Sequence, residues 1–244
     1  MDADSLFLTL LIFVAALLYS SVGHGGASGY LAAMALFGLA PEAMKPAALI
    51  LNIIVSAIAT LRFYRAGCFS WPLFWPFALS SIPFAFIGGA LTLPSHFYKP
   101  LVGLVLLFAA YRLFRYTSTL ATAERPLSLP IAIGSGAGIG LLSGLTGVGG
   151  GIFLSPLLMF MRWTDARHTA GVAAPFILAN SIAGLAGHLS AVKYVPHDVS
   201  WWALAALLGG LIGASLGSRY FANLVIRRLL ALVLVVAGLK MILT

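Results

Sequence analysis

The chain has 244 residues, of which 61% are hydrophobic and only 8% charged, with a mean hydropathy of +1.04. So little polar surface excludes a water-soluble domain of this size and leaves an integral membrane protein with almost nothing outside the bilayer. The formal net charge of +8 sits in short stretches between apolar runs, where it orients a protein in a membrane and gives no footprint for nucleic acid.

The chain begins "MDADS", an acidic start that lacks the positive region of a secretory signal, so the first apolar run is read as part of the mature protein. That run, 5–21, and the next, 27–39, flank the stretch "SSVGHGGASGY" (20–30). Three longer runs follow, at 42–64, 71–93 and 98–114. The polar stretch "RYTSTLATAERPLS" then precedes a second pair of short runs, 128–143 and 151–161, around "GVGGG". Three more long runs close the chain, at 166–189, 201–219 and 225–243. A helix needs roughly 17–25 apolar residues to span a bilayer, which the long runs supply and the paired short runs do not. The lone Cys68 excludes an intrachain disulfide and a cysteine metal cluster, and neither metal nor cofactor is expected.

The order of segments repeats. "GHGG" (23–26) matches "GVGG" (147–150), "ILNIIVSAIATL" (50–61) matches "LANSIAGLAGHL" (178–189) with Asn52 on Asn180, and "FIGGALTL" (86–93) matches "LIGASLGS" (211–218). The expected architecture is therefore all-α: two membrane repeats, 1–116 and 128–244, joined by a cytoplasmic linker at 117–127. Each repeat is a glycine-broken helical hairpin followed by three transmembrane helices.

Positive charge orients them. With each broken pair entering and leaving on one side, one loop set carries Arg62, Arg65, Arg112, Arg115, Arg125, Arg162, Arg167, Arg219, Arg227 and Arg228, and the other Lys45, Lys99, Lys193 and Lys240. With each pair as a single crossing, the split is seven against seven. The positive-inside rule favours the hairpins and puts both termini outside. One hairpin plus three crossings reverses orientation, so the second repeat is inverted and the two glycine tips approach each other near the midplane, a plan shared by many transporters.

A broken helix survives in a membrane only when buried in protein or lining a cavity. Its N-terminus carries free N–H groups and a partial positive charge, and glycine lets a ligand come close to them. Two such termini make an anion site without a fixed charge. The candidate substrate-binding set is Gly23, His24, Gly25, Gly26, Ser28, Asn52, Gly147, Gly149, Gly150, Gly151 and Asn180. Two roles stay open for several of them. His24 is either a donor to the anion or a packed neutral histidine, and Asn52 and Asn180 either touch substrate or tie helices together. His188 reads as an interfacial packing residue, and Gly88-Gly89 and Gly209-Gly210 as close-packing positions. The six carboxylates, Asp2, Asp4, Glu42, Glu124, Asp165 and Asp198, all fall at termini or loops, so no acidic residue offers itself for coupling within the membrane.

The repeated loops, "GLTGVGGGIFLSPLL" (144–158) above all, together with "AAPFILANSIAGLAGH" (173–188), resemble the sulfite exporter TauE/SafE family over nearly the whole chain. The first half departs from the pattern, with "GHGGASGYLAA" where a third glycine and a later proline are usual, and that singles out His24. The resemblance implies a bacterial inner-membrane carrier of small sulfur-containing anions, such as sulfite or a C2 organosulfonate like sulfoacetate. By motif, Gly147, Gly149, Gly150, Gly151 and Pro156 carry over in the second repeat, and Gly23, Gly25 and Gly26 in the first. The expected partners are that anion and membrane lipid, with a homodimer compatible with the sequence. Two alternatives stand beside the carrier: an anion channel using the same site, and an intramembrane serine hydrolase with Ser28 of "GASG" as nucleophile and His24 or His188 as base.

Overall fold

The computed structural model describes residues 3–21, 23–115, 125–192, 194–217 and 224–243. Among them the chain forms ten helices and no strand: α1 (Ala3–Ser20), α2 (Ala27–Leu36), α3 (Pro41–Arg65), α4 (Trp71–Ala90), α5 (Ser95–Arg115), α6 (Leu129–Thr146), α7 (Gly151–Phe160), α8 (Ala166–Ala191), α9 (Val199–Gly217) and α10 (Leu224–Leu243). Residues 117–124 of the expected linker lie outside the described residues, as do Asp2, Lys193, Arg219 and the side chains of Arg115, Arg227 and Arg228.

The helices begin where local chemistry allows. Proline stands in the first turn of α3, α4 and α6, where its missing N–H is no loss. Asp165 caps α8 by accepting from the His168 amide at 2.7 Å. Partial burial pushes its carboxyl up, but the His168 amide and ring more than offset this and hold it below its ordinary value. The stability it adds is therefore present at neutral pH and drains away as pH falls through that lowered value. Asp165→Ala is expected to cost about 1 kcal/mol, read as a lower melting temperature in detergent that converges on wild type in acid.

The paired segments differ from the expectation of two short runs each. α1 and α6 have 18 residues apiece and only α2 and α7, with 10 each, are short. At 1.5 Å per residue the first two are about 27 Å long, against roughly 30 Å of bilayer core. By apolar pattern the second pair's first run stops at 143, before Gly144. That glycine instead continues the helix and presses against the Ala85 carbonyl of α4. Gly136 and Gly140 meet Phe77 and Ser81 of α4 in the same way, a seam of small residues at four-residue spacing that brings two backbones close. Gly209 and Gly213 of α9 do the same against Phe13 and Leu17 of α1.

Within each pair the chain folds back. Gly29 of α2 packs on Ala15 and Tyr19 of α1, and Gly150, at the start of α7, lies beside Ile139 and Ser143 of α6. Across the halves the helices interlock, α1 with α9, α6 with α4, α3 with α8 and α5 with α10. One apolar cluster surrounds α2 with Tyr30, Leu31 and Met34, and a second surrounds α7 with Leu154, Leu158, Phe77 and Phe176. The outer faces remain apolar, with Phe84, Leu104, Leu211 and Val236 exposed. Water does not tolerate so much continuous apolar surface, whereas lipid does. Among the described residues four helices, α3, α4, α6 and α8, are long and apolar enough to cross a membrane.

Candidate functional site

Both glycine loops are turns that end one helix and start another. In the first, the Gly23 amide donates to Ser20 O and the His24 amide to Tyr19 O, closing α1. Gly26, at φ 99°, then opens α2. In the second, Gly147 closes α6 by donating to Ser143 O at 2.8 Å, and Gly150, at φ 83°, opens α7. Gly149 between them also has a left-handed backbone, at φ 79°.

The two tips meet, and Asn52 of α3 joins them. Its Oδ1 accepts from the Ala27 amide at the start of α2, at 3.1 Å. Its Nδ2 donates to Val148 O in the second tip, also at 3.1 Å. The side chain is fully buried, and its carbonyl and amide ends are each engaged by the protein. Ile177 of α8 fills the space beside it, touching Gly25, Gly149 and Gly151. A second polar contact crosses from one tip to the other helix: His24 Nε2 lies 3.1 Å from Ser155 Oγ in α7. His24 is half-buried, and the histidine singled out by the sequence faces α7.

The remaining candidates divide. Gly25, Gly149 and Gly151 line the junction itself. Gly23 packs against Ala170 and Phe63, and Gly147 against the backbone of Lys45, on the flanks. Ser28 is buried and its side chain faces Tyr19 of α1. Of the two bases the hydrolase alternative offers, His24 meets Ser155 of α7 and His188 lies near Lys45. Asn180, at the repeat position of Asn52, is also fully buried, but neither end of its amide has a hydrogen-bond partner.

Several residues at the site escaped the sequence reading. Tyr30 bends back so that its hydroxyl donates to Gly25 O at 2.8 Å, tying down the first tip. Its counterpart after the second tip, four residues past Gly150, is the apolar Leu154. Lys45, counted among loop charges, is 6% exposed inside the bundle. Its ammonium donates to the carbonyls of Gly88, Gly89 and Leu91, at 3.1, 2.7 and 3.0 Å, and so caps the end of α4. His188 is buried too, within electrostatic reach of that ammonium. Nothing local in the sequence reveals that α4 ends over Lys45.

At the second tip the amides of Gly149, Gly150, Gly151 and Ile152 find no protein acceptor among the described residues. The described carboxylates, Asp4, Glu42, Asp165 and Asp198, stand in first turns, at a cap or in a loop, none of them at the tips. The junction therefore offers N–H and O–H donors and no fixed negative charge, the chemistry of an oxyanion site.

The sequence profile of the family described as "Sulfite exporter TauE/SafE" matches residues 8–241. The chain is 42% identical over 245 residues to "Probable membrane transporter protein y4hK" of Sinorhizobium fredii, covering 99% of each chain. It is 30% identical over 201 residues to "Probable membrane transporter protein MJ0441" of Methanocaldococcus jannaschii, covering 76% of this chain and 74% of that one. No solved structure matches it.

Proposed function

The chain belongs to the sulfite exporter TauE/SafE family of membrane transporters, and from that premise we propose that it exports a small sulfur-containing anion, sulfite or a C2 organosulfonate, bound where the two glycine tips meet. The observation that carries the reading is the pair of helix N-termini, α2 and α7, brought within one asparagine of each other, with unpaired amides at the start of α7 and no described carboxylate between them. On this reading the halves 1–116 and 128–244 are inverted repeats in a bacterial inner membrane, with both termini outside. One rocks against the other to alternate access. The two polar contacts across the tips, Asn52 to Val148 and His24 to Ser155, then break and re-form as the site opens to each side. Export needs no coupling ion, because a negative interior drives an anion outward by ~2.3 kcal/mol per charge per 100 mV.

The test is sulfite efflux from proteoliposomes at a set membrane potential, with sulfoacetate, sulfate or acetate in excess. Saturable efflux, accelerated by an inside-negative potential and blocked by the sulfonate, is the expected outcome. Efflux that never saturates and shows no counterflow makes the protein a channel. Absence of efflux in folded protein removes sulfite as the substrate.

A further inference from the structure

Three buried polar side chains beside the second tip have no partner: Ser143 Oγ of α6, and Ser181 Oγ and both amide atoms of Asn180 on α8. All three residues are 0% exposed. Buried polar groups are normally hydrogen-bonded, and each one left unmade costs about 1–3 kcal/mol. Their position is not random. Ser181 Oγ lies 3.0 Å from where a Cβ on Gly149 would stand, and Ser143 Cβ lies 3.5 Å from the same point on Gly150. Asn180 follows Ile177 by three residues, which puts it on the helix face that touches Gly25, Gly149 and Gly151. At the first tip Asn52 and Tyr30 are both hydrogen-bonded, and among the described residues beside it the Tyr19 hydroxyl is the buried group without a partner.

Charge sharpens the picture. The three protons of the Lys45 ammonium all go to backbone carbonyls, so the nearest buried cation has no donor left for a ligand. The positive potential at the tip then comes mainly from the N-terminus of α7, worth about half a charge. That suits one negative charge and undercompensates two, whose removal from water is far more costly. Asn180 presents an acceptor as well as a donor, which a ligand carrying its own hydroxyl satisfies.

We propose that the anion sits asymmetrically, on the second tip, in a cradle of the Gly149–Ile152 amides, the Ser143 and Ser181 hydroxyls and the Asn180 amide, and that it is a singly charged oxyanion keeping one proton, such as hydrogen sulfite. The first tip is a buttress held by Asn52 and Tyr30. This rests on the reading above that a small sulfur oxyanion is the substrate.

The experiment is equilibrium binding to the purified full-length protein in detergent, one pH unit below and one above the second ionisation of sulfite. Methanesulfonate, singly charged at both, and sulfate, doubly charged at both, are the controls. The titratable residues on the surrounding elements are His24 at the first tip, Tyr30 on α2, Glu42, Lys45, Arg62, Tyr64 and Arg65 on α3, His96, Tyr98, Lys99, Tyr111, Arg112 and Arg115 on α5, and Arg167, His168 and His188 on α8, while α4, α6 and α7 carry none. Any titration of these acts on methanesulfonate too and is thereby separated from titration of the ligand. Affinity for total sulfite is expected to fall several-fold at the higher pH while that for methanesulfonate holds and sulfate binds undetectably. Ser143→Ala and Ser181→Ala are each expected to weaken sulfite binding roughly tenfold to a hundredfold at a melting temperature no lower than wild type, as loss of one hydrogen bond to a charged ligand predicts. Ser80→Ala, whose hydroxyl bonds Ile133 O between α4 and α6, is the control expected to bind as wild type. Sulfite that binds better above its ionisation, or that ignores both serine substitutions, overturns the cradle. If sulfite fails to bind while another small monoanion binds and loses affinity in Ser181→Ala, the cradle stands and the choice of substrate is what fails.

Discussion

Replacing Gly149 with alanine is expected to reduce transport more than tenfold while the protein still inserts and folds. Two physical effects coincide at this position. The backbone is left-handed at φ 79°, which costs an ordinary L-residue about 1–2 kcal/mol. The added methyl would also stand 2.6 Å from Asn52 Nδ2, 2.8 Å from Ile177 Cγ2 and 3.0 Å from Ser181 Oγ. None of the three has room to retreat, because Asn52 and Ser181 are fully buried and Ile177 nearly so. The tip must shift, and the amides that face the anion shift with it. A displacement on the order of 1 Å is enough to ruin a site built from backbone donors, whose geometry no side-chain rotation restores. Gly134→Ala is the matched control. It lies on the same helix hairpin with open space around it, and alanine is the better helix former there, so efflux should stay within a factor of about two. Equal efflux from Gly149→Ala and Gly134→Ala would place the anion somewhere else.

Asn52 gives the second large effect, and two substitutions there separate its two roles. Asn52→Leu removes the partner of the Ala27 amide and of the Val148 carbonyl together, both in buried residues. Two unsatisfied buried groups cost roughly 2–6 kcal/mol. The expected result is a melting temperature several degrees lower together with lost efflux. Asn52→Asp keeps an acceptor for the Ala27 amide, now charge-assisted at a helix N-terminus, but turns a lone pair toward Val148 O. It should melt closer to wild type than the leucine variant, yet carry no anion, because a carboxylate now stands between the tips. Comparing the pair distinguishes a strut from a substrate ligand. A leucine variant that melts like wild type would show that the bridge between the tips contributes no stability.

Much of this arrangement is visible in the sequence because it rests on local rules. Glycines interrupting apolar runs at matching places in two halves announce broken helices, and Asn52 and Asn180 stand out as amides in otherwise apolar spans. Helix starts and ends came within a few residues for the long runs, as with 42–64 against Pro41–Arg65. What stayed hidden depends on contacts between distant segments. Gly144 reads as a breaker but acts as a packing notch, because the α4 backbone it admits lies some sixty residues earlier in the chain. Lys45 reads as a loop charge, and only the end of α4 folding over it makes it an internal cap. Taking it out of the loop count leaves ten positive charges against three. The two asparagines look equivalent in sequence, but one is hydrogen-bonded at both ends and the other at neither. Tyr30 opposite Leu154 is a sequence difference that foreshadows this, since Tyr30 supplies a hydroxyl to fold back on the first tip's own carbonyl.

The account stands or falls on where the anion binds. Selenite, the heavier analogue of sulfite, scatters anomalously, so a structure of the protein with selenite bound locates it directly. The expected result is one strong anomalous peak within hydrogen-bonding distance of the Gly149–Ile152 amides, close to Ser181 and Asn180. A peak elsewhere, for example beside Lys99 and His96 in the groove between α5 and α10, with the tips empty and sulfite shown to compete for it, would contradict the account.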